Sequence, residues 1–395
     1  MTGLLRNTEP ERLRSGYGVK WGSLPPGTIG AWVADMDLGV PPAVKQALTE
    51  TTEREDFGYP FWRDGDPVVE TFARRMTRRF GWTPTAGHTR IFTDLIQVLQ
   101  VVVEHATEPG DAIALHVPNY PPFLAAIARS GRRAVPIPMR LGVEGWGFDT
   151  DGLADHLRAA NCRLLLVVNP HNPTGRVFTR AELEPLAQIA EDLDLTVLSD
   201  EVHADVTYPP AAHIPFASLS DDAANRTITA TSATKAFNIA GLRLAVAHVG
   251  SPQVRAALDR MPLDYFGQPS IVSRVATVAA WADSDDWLTE LLGVLARNRD
   301  LITTWAHDVL GVTGYRAPEA TYLAWLDLRG LLDHPSPARH LERIARVKLS
   351  EGAEFSETTD VDTASFVRIN FATDTPTLTD ILRRVGKALS QQDNR

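Results

Sequence analysis

Short apolar runs that alternate with amphipathic helical patterns fill the middle of this chain, from about residue 90 to residue 250. Strands that are apolar on both faces and separated by helices are typical of βαβ units, because the crossover helices cover both faces of a parallel sheet. The sequence therefore predicts an α/β fold with a mostly parallel sheet. The predicted strands are residues 111–117, 133–139, 163–168, 195–200, 226–231 and 244–250.

The last third of the chain has a different pattern. A second domain is expected because 395 residues are more than one hydrophobic core usually holds. We expect a large domain over residues 50–280 and a smaller α+β domain formed by residues 1–49 and 281–395. The predicted elements of the last third are helical segments around 270–308, a strand within 321–328, a helix near 336–349, a strand within 366–372 and a helix ending near 389.

Charge and cysteine content argue against several classes of protein. The formal net charge is −10 without a basic block, which argues against nucleic-acid and anionic-membrane partners. Cys162 is the only cysteine, so no internal disulfide can form, and this fits a reducing cytoplasm. The eleven histidines show no zinc-like pairing, so no metal is expected. The start of the chain lacks a signal-peptide pattern, and the apolar runs are too short to cross a bilayer.

Three polar motifs come directly after predicted strands. They are NPHNPTG (169–175), SDEVH (199–203) and TSATKAFNIAGLR (231–243). The carboxyl ends of neighbouring parallel strands share one edge of a sheet, and ligands of open α/β sheets bind at that edge. The sequence therefore predicts that an asparagine, an aspartate and a lysine meet at one edge.

Each motif alone also fits a purely structural role, as an Asn/Pro-rich turn, a helix cap or a surface lysine. Their convergence favours a site for pyridoxal 5′-phosphate (PLP). Such a site needs a lysine for the Schiff base, an aspartate that keeps the pyridine nitrogen protonated, and hydroxyl and guanidinium groups for the phosphate. Ser232 and Arg243, which flank Lys235, are the candidate phosphate ligands.

These motifs resemble the fold-type I PLP enzymes of the class I/II aminotransferase family. Further runs are most similar to the MalY/PatB group of cystathionine β-lyases. These runs are GAWVADMDLGVPPAV (30–44), DFGYPF (56–61), PNYPPF (118–123), PEATYLAWLDLRGL (318–331) and FVRIN (366–370). The resemblance implies an aspartate-aminotransferase-like fold, in which a seven-stranded, mostly parallel sheet lies between helices beside a smaller α+β domain. It also implies a homodimer with shared active sites.

The resemblance assigns the catalytic and ring-binding roles to four residues. Lys235 is expected to carry PLP as a Schiff base and to move the substrate α-proton. Asp200 would pair with the pyridine nitrogen, Asn172 would bind the phenolic oxygen, and Tyr120 would stack on the ring.

The phosphate and substrate residues follow from the same resemblance. Ser232, Arg243 and the amides of Leu95 and Ile96 at a helix start would bind the phosphate. The loop FTDLIQVLQ (92–100) nevertheless lacks the glycine often found in that turn.

Arg368 would bind the substrate carboxylate, a bidentate role that suits arginine. Asn172 would contact the substrate as well as the cofactor. Tyr59 would reach the site of the neighbouring subunit. His203 replaces a tyrosine that aminotransferases commonly place near the cofactor, as the β-lyase group also tends to do.

Two reaction paths share these residues, and composition and spacing do not choose between them. The resemblance favours β-elimination from cysteine S-conjugates, such as cystathionine, to a thiol, pyruvate and ammonia. Transamination is the alternative, as is decarboxylation or oxidative deamination in a specialised pathway. A regulatory PLP-binding protein is a reading from another class.

Overall fold

Secondary structure is assigned over residues 5, 9–262, 265–310 and 315–391, which are the residues that the computed structural model describes. The helices within these residues are α1 (Pro10–Ser15), α2 (Val19–Gly22), α3 (Pro42–Glu53), α4 (Pro67–Phe80), α5 (Leu95–Ala106), α6 (Pro121–Arg129), α7 (Leu153–Ala159), α8 (Arg180–Asp192), α9 (Asp221–Arg226), α10 (Pro252–Asp259), α11 (Ile271–Asp283), α12 (Asp285–Leu310), α13 (Pro337–Ala345) and α14 (Thr375–Ser390). The strands are β1 (Ile29–Gly30), β2 (Thr89–Phe92), β3 (Ala112–Val117), β4 (Arg133–Pro138), β5 (Arg140–Gly142), β6 (Gly145–Gly147), β7 (Cys162–Val168), β8 (Thr196–Asp200), β9 (Thr227–Thr231), β10 (Ala245–Val249), β11 (Leu323–Asp327), β12 (Val347–Lys348), β13 (Ser350–Glu351) and β14 (Phe366–Asn370).

The central sheet has seven strands in the order β2-β10-β9-β8-β7-β3-β4. Strand β10 runs antiparallel to both of its neighbours, and the other pairs are parallel. The predicted α/β class, the mostly parallel sheet and all six predicted strands are confirmed. Strand β2, on the edge of the sheet, was not predicted.

Strand β7 shows why these runs are apolar throughout. Successive side chains of a strand point to opposite faces of the sheet. Leu164 and Leu166 accordingly pack in the core on one face, while Leu165 and Val167 pack in the core on the other. Because helices cover both faces, a polar residue in the middle of β7 would lose its hydration on either side.

A second, three-stranded antiparallel sheet has the order β11-β14-β13, and the short strand β1 pairs with β12. The predicted helix near 336–349 is wrong in length. Helix α13 ends at Ala345 because Arg346 adopts a left-handed conformation with φ of 58°, and the chain then enters β12. Helix α3 packs against α11. The expected domain boundaries, near residues 49 and 280, stay a prediction.

The carboxyl ends of β7, β8 and β9 lie side by side, as predicted. Val168 is paired with Asp200 and Asp200 with Ala230 in the parallel register. No helix within the described residues is long and apolar enough to span a membrane.

Candidate active site

A cavity of about 210 Å³ opens at this edge of the sheet. The predicted site residues that line it are Lys235, Asp200, Asn172, Tyr120, Ser232, Arg243, His203, Leu95, Ile96 and Arg368. A larger groove of about 560 Å³, lined by residues 176–180, 208–212 and 317–319 together with Ile214 and Arg299, holds none of them.

Tyr59 is the predicted site residue that does not line the cavity of its own chain. Its side chain is 99% exposed, and the neighbouring Phe57 and Phe61 are 60% and 83% exposed. Three exposed aromatic residues within five positions form an apolar patch on this surface.

Lys235 follows β9 and reaches back across the cavity to the N-terminal part of the chain. Its Nζ donates a hydrogen bond to the Ala34 carbonyl at 3.2 Å. Burial lowers the pKa of the Lys235 ammonium, and the carboxylate of Asp35 is the strongest of the charges that oppose this effect. The amine is therefore more readily deprotonated than that of an exposed lysine.

Asp200 is the last residue of β8 and is 5% exposed. Burial raises the pKa of its carboxyl to about 7, although Oδ1 accepts a hydrogen bond from the Val202 amide at 3.0 Å. The adjacent Glu201 does not line the cavity, because its carboxylate accepts the hydroxyl of Ser199 at 2.8 Å and lies 2.9 Å from His213 Nε2. Of the two neighbouring carboxylates, Asp200 is the one available to a ligand.

Arg368 and Asn172 are held together on the opposite side of the cavity. Arg368 Nη1 donates to Asn172 Oδ1 at 2.9 Å, and the guanidinium lies 4.8 Å from the centre of the Phe355 ring. Burial lowers the pKa of Arg368 to about 10. Its Nε is buried and has no hydrogen-bond partner among the described residues, and the residue lines the cavity.

The candidate phosphate ligands are engaged with other groups of the protein. The Arg243 guanidinium binds the Asp94 carboxylate, and the Ser232 hydroxyl donates to the Leu244 carbonyl at 2.5 Å. Asp94 also caps α5 by accepting the Gln97 amide at 2.9 Å. Sequence reasoning missed Asp94, although an aspartate before an apolar helical run is an N-cap signal.

Tyr120 and His203 complete the lining of the cavity. Tyr120 precedes α6, and burial raises the pKa of its hydroxyl. Burial lowers the pKa of His203 to about 3, so this imidazole is neutral at physiological pH. Its ring meets the Tyr322 ring edge-on, with the centroids 6.2 Å apart.

Residues 32–35 are here called the strap. They lie within the run GAWVADMDLGVPPAV (30–44), which entered the sequence analysis only through its similarity to the MalY/PatB group. Each of the strap's four carbonyls accepts hydrogen bonds from side chains of other segments. Arg368 and Ser350 donate to the Trp32 carbonyl at 3.0 and 2.9 Å. Tyr322, at 3.1 Å, and Lys235 donate to the Ala34 carbonyl. Asn370 donates to the carbonyls of Val33 and Asp35, both at 2.6 Å, and Lys20 donates to the Asp35 carbonyl at 3.1 Å. The strap thus connects the lysine and the arginine of the cavity.

The family model for class I and II aminotransferases matches residues 33–385, which is nearly the whole chain. The chain belongs to the class I and II aminotransferase family.

Relatives within the aminotransferase family agree with the predicted group. The cystathionine β-lyase of Corynebacterium glutamicum is 32% identical, over 98% of this chain and 100% of that protein. The cystathionine β-lyase PatB of Bacillus subtilis is 31% identical, over 91% of this chain and 92% of PatB. The PLP-bound C–S lyase of Staphylococcus hominis superposes with a TM-score of 0.87 at 29% identity, over 95% and 94% of the two chains. The predicted fold and the placement near the MalY/PatB group are confirmed.

The cavity of this aminotransferase-family chain fits PLP. It offers one amine, one buried carboxylate and one cationic end, which are the groups that a PLP aldehyde, pyridine nitrogen and phosphate need. The first amides of α5, at Leu95 and Ile96, have no partner inside the helix and suit an anion. Among the described residues, no group of three His, Cys, Asp or Glu side chains could hold a metal ion.

Proposed function

We propose that this chain is a PLP-dependent carbon–sulfur β-lyase that cleaves cysteine S-conjugates to a thiol, pyruvate and ammonia. The observation that carries the proposal is the convergence of Lys235, Asp200, Asn172 and Arg368 on one cavity. Relatives named as cystathionine β-lyases align with nearly the whole chain and support the choice of reaction.

Each side chain has a defined task in this reaction. Arg368, which lines the cavity, binds the α-carboxylate of the substrate and places the α-carbon beside Lys235. The Lys235 amine, with its lowered pKa, takes the α-proton. PLP, when bound, would supply the sink for the electrons of the broken C–H bond, and the Asp200 carboxylate would keep a proton on its pyridine nitrogen.

The neutral state of His203 suits proton abstraction by Lys235, a step that elimination and transamination share. A burial that holds the pKa of this imidazole at about 3 removes a cation from the cavity wall. An additional positive charge near Lys235 would disfavour the ammonium that proton abstraction produces. A thiolate at the β-carbon can then leave without a second proton transfer to the cofactor.

The test is product analysis with cystathionine, cysteine and S-alkyl or S-aryl cysteines as substrates. We expect catalytic release of pyruvate, ammonia and thiol in equal amounts without an added keto acid. Lys235→Ala is the control and should release none of them. A single turnover that resumes only when a keto acid is supplied would identify a transaminase and exclude the lyase.

We also propose that the protein works as a homodimer in a reducing cytoplasm. The exposed aromatic patch of Phe57, Tyr59 and Phe61 supports a subunit contact, since single chains rarely expose such residues together. The single, buried Cys162 supports the compartment.

A further inference from the structure

The strap has a feature that none of the roles above uses. Asp35 is only partly buried, and its carboxylate makes no hydrogen bond or ion pair within the described residues. Asp37, two residues further on, is instead fully engaged. It forms a buried ion pair with Lys20 at 3.0 Å and accepts the indole N–H of Trp21 at 2.6 Å. One carboxylate of this segment is therefore neutralised and the other is not.

The residue with the unpaired carboxylate directly follows the residue whose carbonyl accepts Lys235. The Ala34 carbonyl that accepts the amine belongs to the residue directly before Asp35. Tyr322 and Asn370 fix this stretch by binding the carbonyls of Val33, Ala34 and Asp35. The position of Asp35 relative to the lysine is thus determined by the fold.

We propose that the strap is the resting place of the free Lys235 amine, with the Ala34 carbonyl as its hydrogen-bond acceptor and the Asp35 carboxylate as its counter-ion. The inference rests on the proposed function, in which the substrate displaces Lys235 from PLP and frees the amine. Proton abstraction turns that amine into an ammonium. A carboxylate on the residue that follows its hydrogen-bond acceptor stabilises the ammonium through its charge. Asp35 is therefore a positioning residue that acts through Lys235.

The other charges around the two groups are consistent with this assignment. Burial lowers the pKa of Lys235; Asp35 is the strongest charge raising it, followed by Asp200, whereas Arg368 and Arg243 lower it. Burial raises the pKa of Asp35, and Asp37 adds to the rise, whereas Lys235 and Lys20 lower it, Lys235 being the stronger of the two.

The experiment measures ionisation of Lys235 in the cofactor-free protein and needs no substrate. Stopped-flow absorbance follows capture of PLP by wild type, Asp35→Asn and Asp37→Asn from about pH 6 to 10. The rate rises with the fraction of Lys235 that is a free amine, so the midpoint of the profile reports its pKa. Ionisations of PLP itself are common to all variants and cancel in the comparison.

We expect the Asp35→Asn midpoint to shift to lower pH by about half a unit or more, because the charge that favours the ammonium is gone. Asp37→Asn should match wild type, and Asp35→Glu should restore the wild-type midpoint. Coincident profiles for wild type and Asp35→Asn would overturn the proposal, as would an equal shift in Asp37→Asn.

If Asp35→Asn does not fold, Asp35→Ser and Asp35→Glu provide the same test, because the midpoint must follow the charge at position 35. The result is independent of the reaction catalysed. A chain that shows the shift but releases no pyruvate would contradict the lyase proposal and leave the strap proposal standing. A lyase without the shift would do the reverse.

Discussion

The buried carboxyl of Asp200 lowers the stability of the cofactor-free protein at neutral pH, although the proposed function requires it. Its carboxyl binds a proton more tightly in the folded protein, where burial raises its pKa to about 7, than in the unfolded chain. The cofactor-free protein therefore loses stability as the pH rises from about 4 to 7, by at most about 4 kcal/mol.

We predict that Asp200→Asn stabilises the cofactor-free protein at pH 7.5 by about 1–4 kcal/mol, because an amide does not ionise, and that this gain disappears near pH 4. Urea unfolding at both pH values measures it. The same variant should lower kcat by roughly 100-fold or more, since the pair with the pyridine nitrogen is lost.

Asp205→Asn is the control, because it should lower the free energy of unfolding where Asp200→Asn raises it. Asp205 is also buried, but its two oxygens accept N–H groups of Arg75 at 3.0 and 2.8 Å. Removing that charge takes from the buried Arg75 guanidinium one of its two carboxylate partners and leaves only Asp285 at 3.0 Å, so this variant should lose stability at pH 7.5. Equal destabilisation by both substitutions would show that Asp200 is a structural carboxylate.

Asn370 on β14 and Asn298 on α12 form a matched pair of asparagines with which to test the strap. Asn370 Nδ2 binds the carbonyls of Val33 and Asp35, both at 2.6 Å. Asn298 on α12 makes the same pair of bonds, to the carbonyls of Phe371 and Thr373 at 2.9 and 2.8 Å, away from the cavity.

We predict that Asn370→Ala and Asn298→Ala each lower the free energy of unfolding by about 1–3 kcal/mol, because each removes two hydrogen bonds that a buried side-chain amide donates to main-chain carbonyls. Only Asn370→Ala should also lower kcat/KM, by about 10-fold or more, since the strap holds Lys235 and Arg368. Urea unfolding and steady-state kinetics separate the two effects. Similar kinetic losses in both variants would mean that the strap has no special role.

The elements that the sequence predicted well are those whose burial is uniform. Strands that are buried on both faces, such as β7, consist of a continuous apolar run. Because such runs alternate with amphipathic helical patterns, these strands can be predicted from the sequence. Strand β2 was missed because it is an edge strand and mostly half-buried, so its residues TRIF show no such run. Strands β12 and β13 are two residues long, too short for any period.

The candidate site could be predicted wherever the ligand group is a side chain in a recognisable motif. Lys235, Asp200 and Asn172 follow three strands that share an edge, and the cavity brings them together. The strap could not be predicted in the same way. Its contribution comes from main-chain carbonyls, which every residue has, and from donors such as Asn370, more than 300 positions away.

For the whole molecule, the exposed Tyr59 predicts that a complete site needs two chains. Tyr59→Phe and Lys235→Ala should each be nearly inactive as homodimers. After the two are mixed and allowed to exchange subunits, one site of each heterodimer regains both native residues, so activity should return to about a quarter of wild type. Mixing Asp200→Ala with Lys235→Ala is the control and should restore nothing, because both residues serve the same site.

The measurement is pyruvate release from mixtures in which native mass spectrometry confirms heterodimers. If confirmed heterodimers of Tyr59→Phe and Lys235→Ala stay inactive, Tyr59 does not serve the partner subunit's site.

The hydrogen bond from Arg368 to the Trp32 carbonyl joins residues 336 positions apart. The ribosome therefore synthesises its two ends at different times. At about 5–20 residues per second, the strap leaves the exit tunnel roughly 20–70 s before its partners in β14 have been made. Its carbonyls remain hydrated during that interval, while the central sheet can already pair. The cavity of the candidate active site is therefore completed late in the synthesis of the protein, and a nascent chain stalled before residue 366 would carry Lys235 without Arg368, the proposed ligand of the substrate carboxylate.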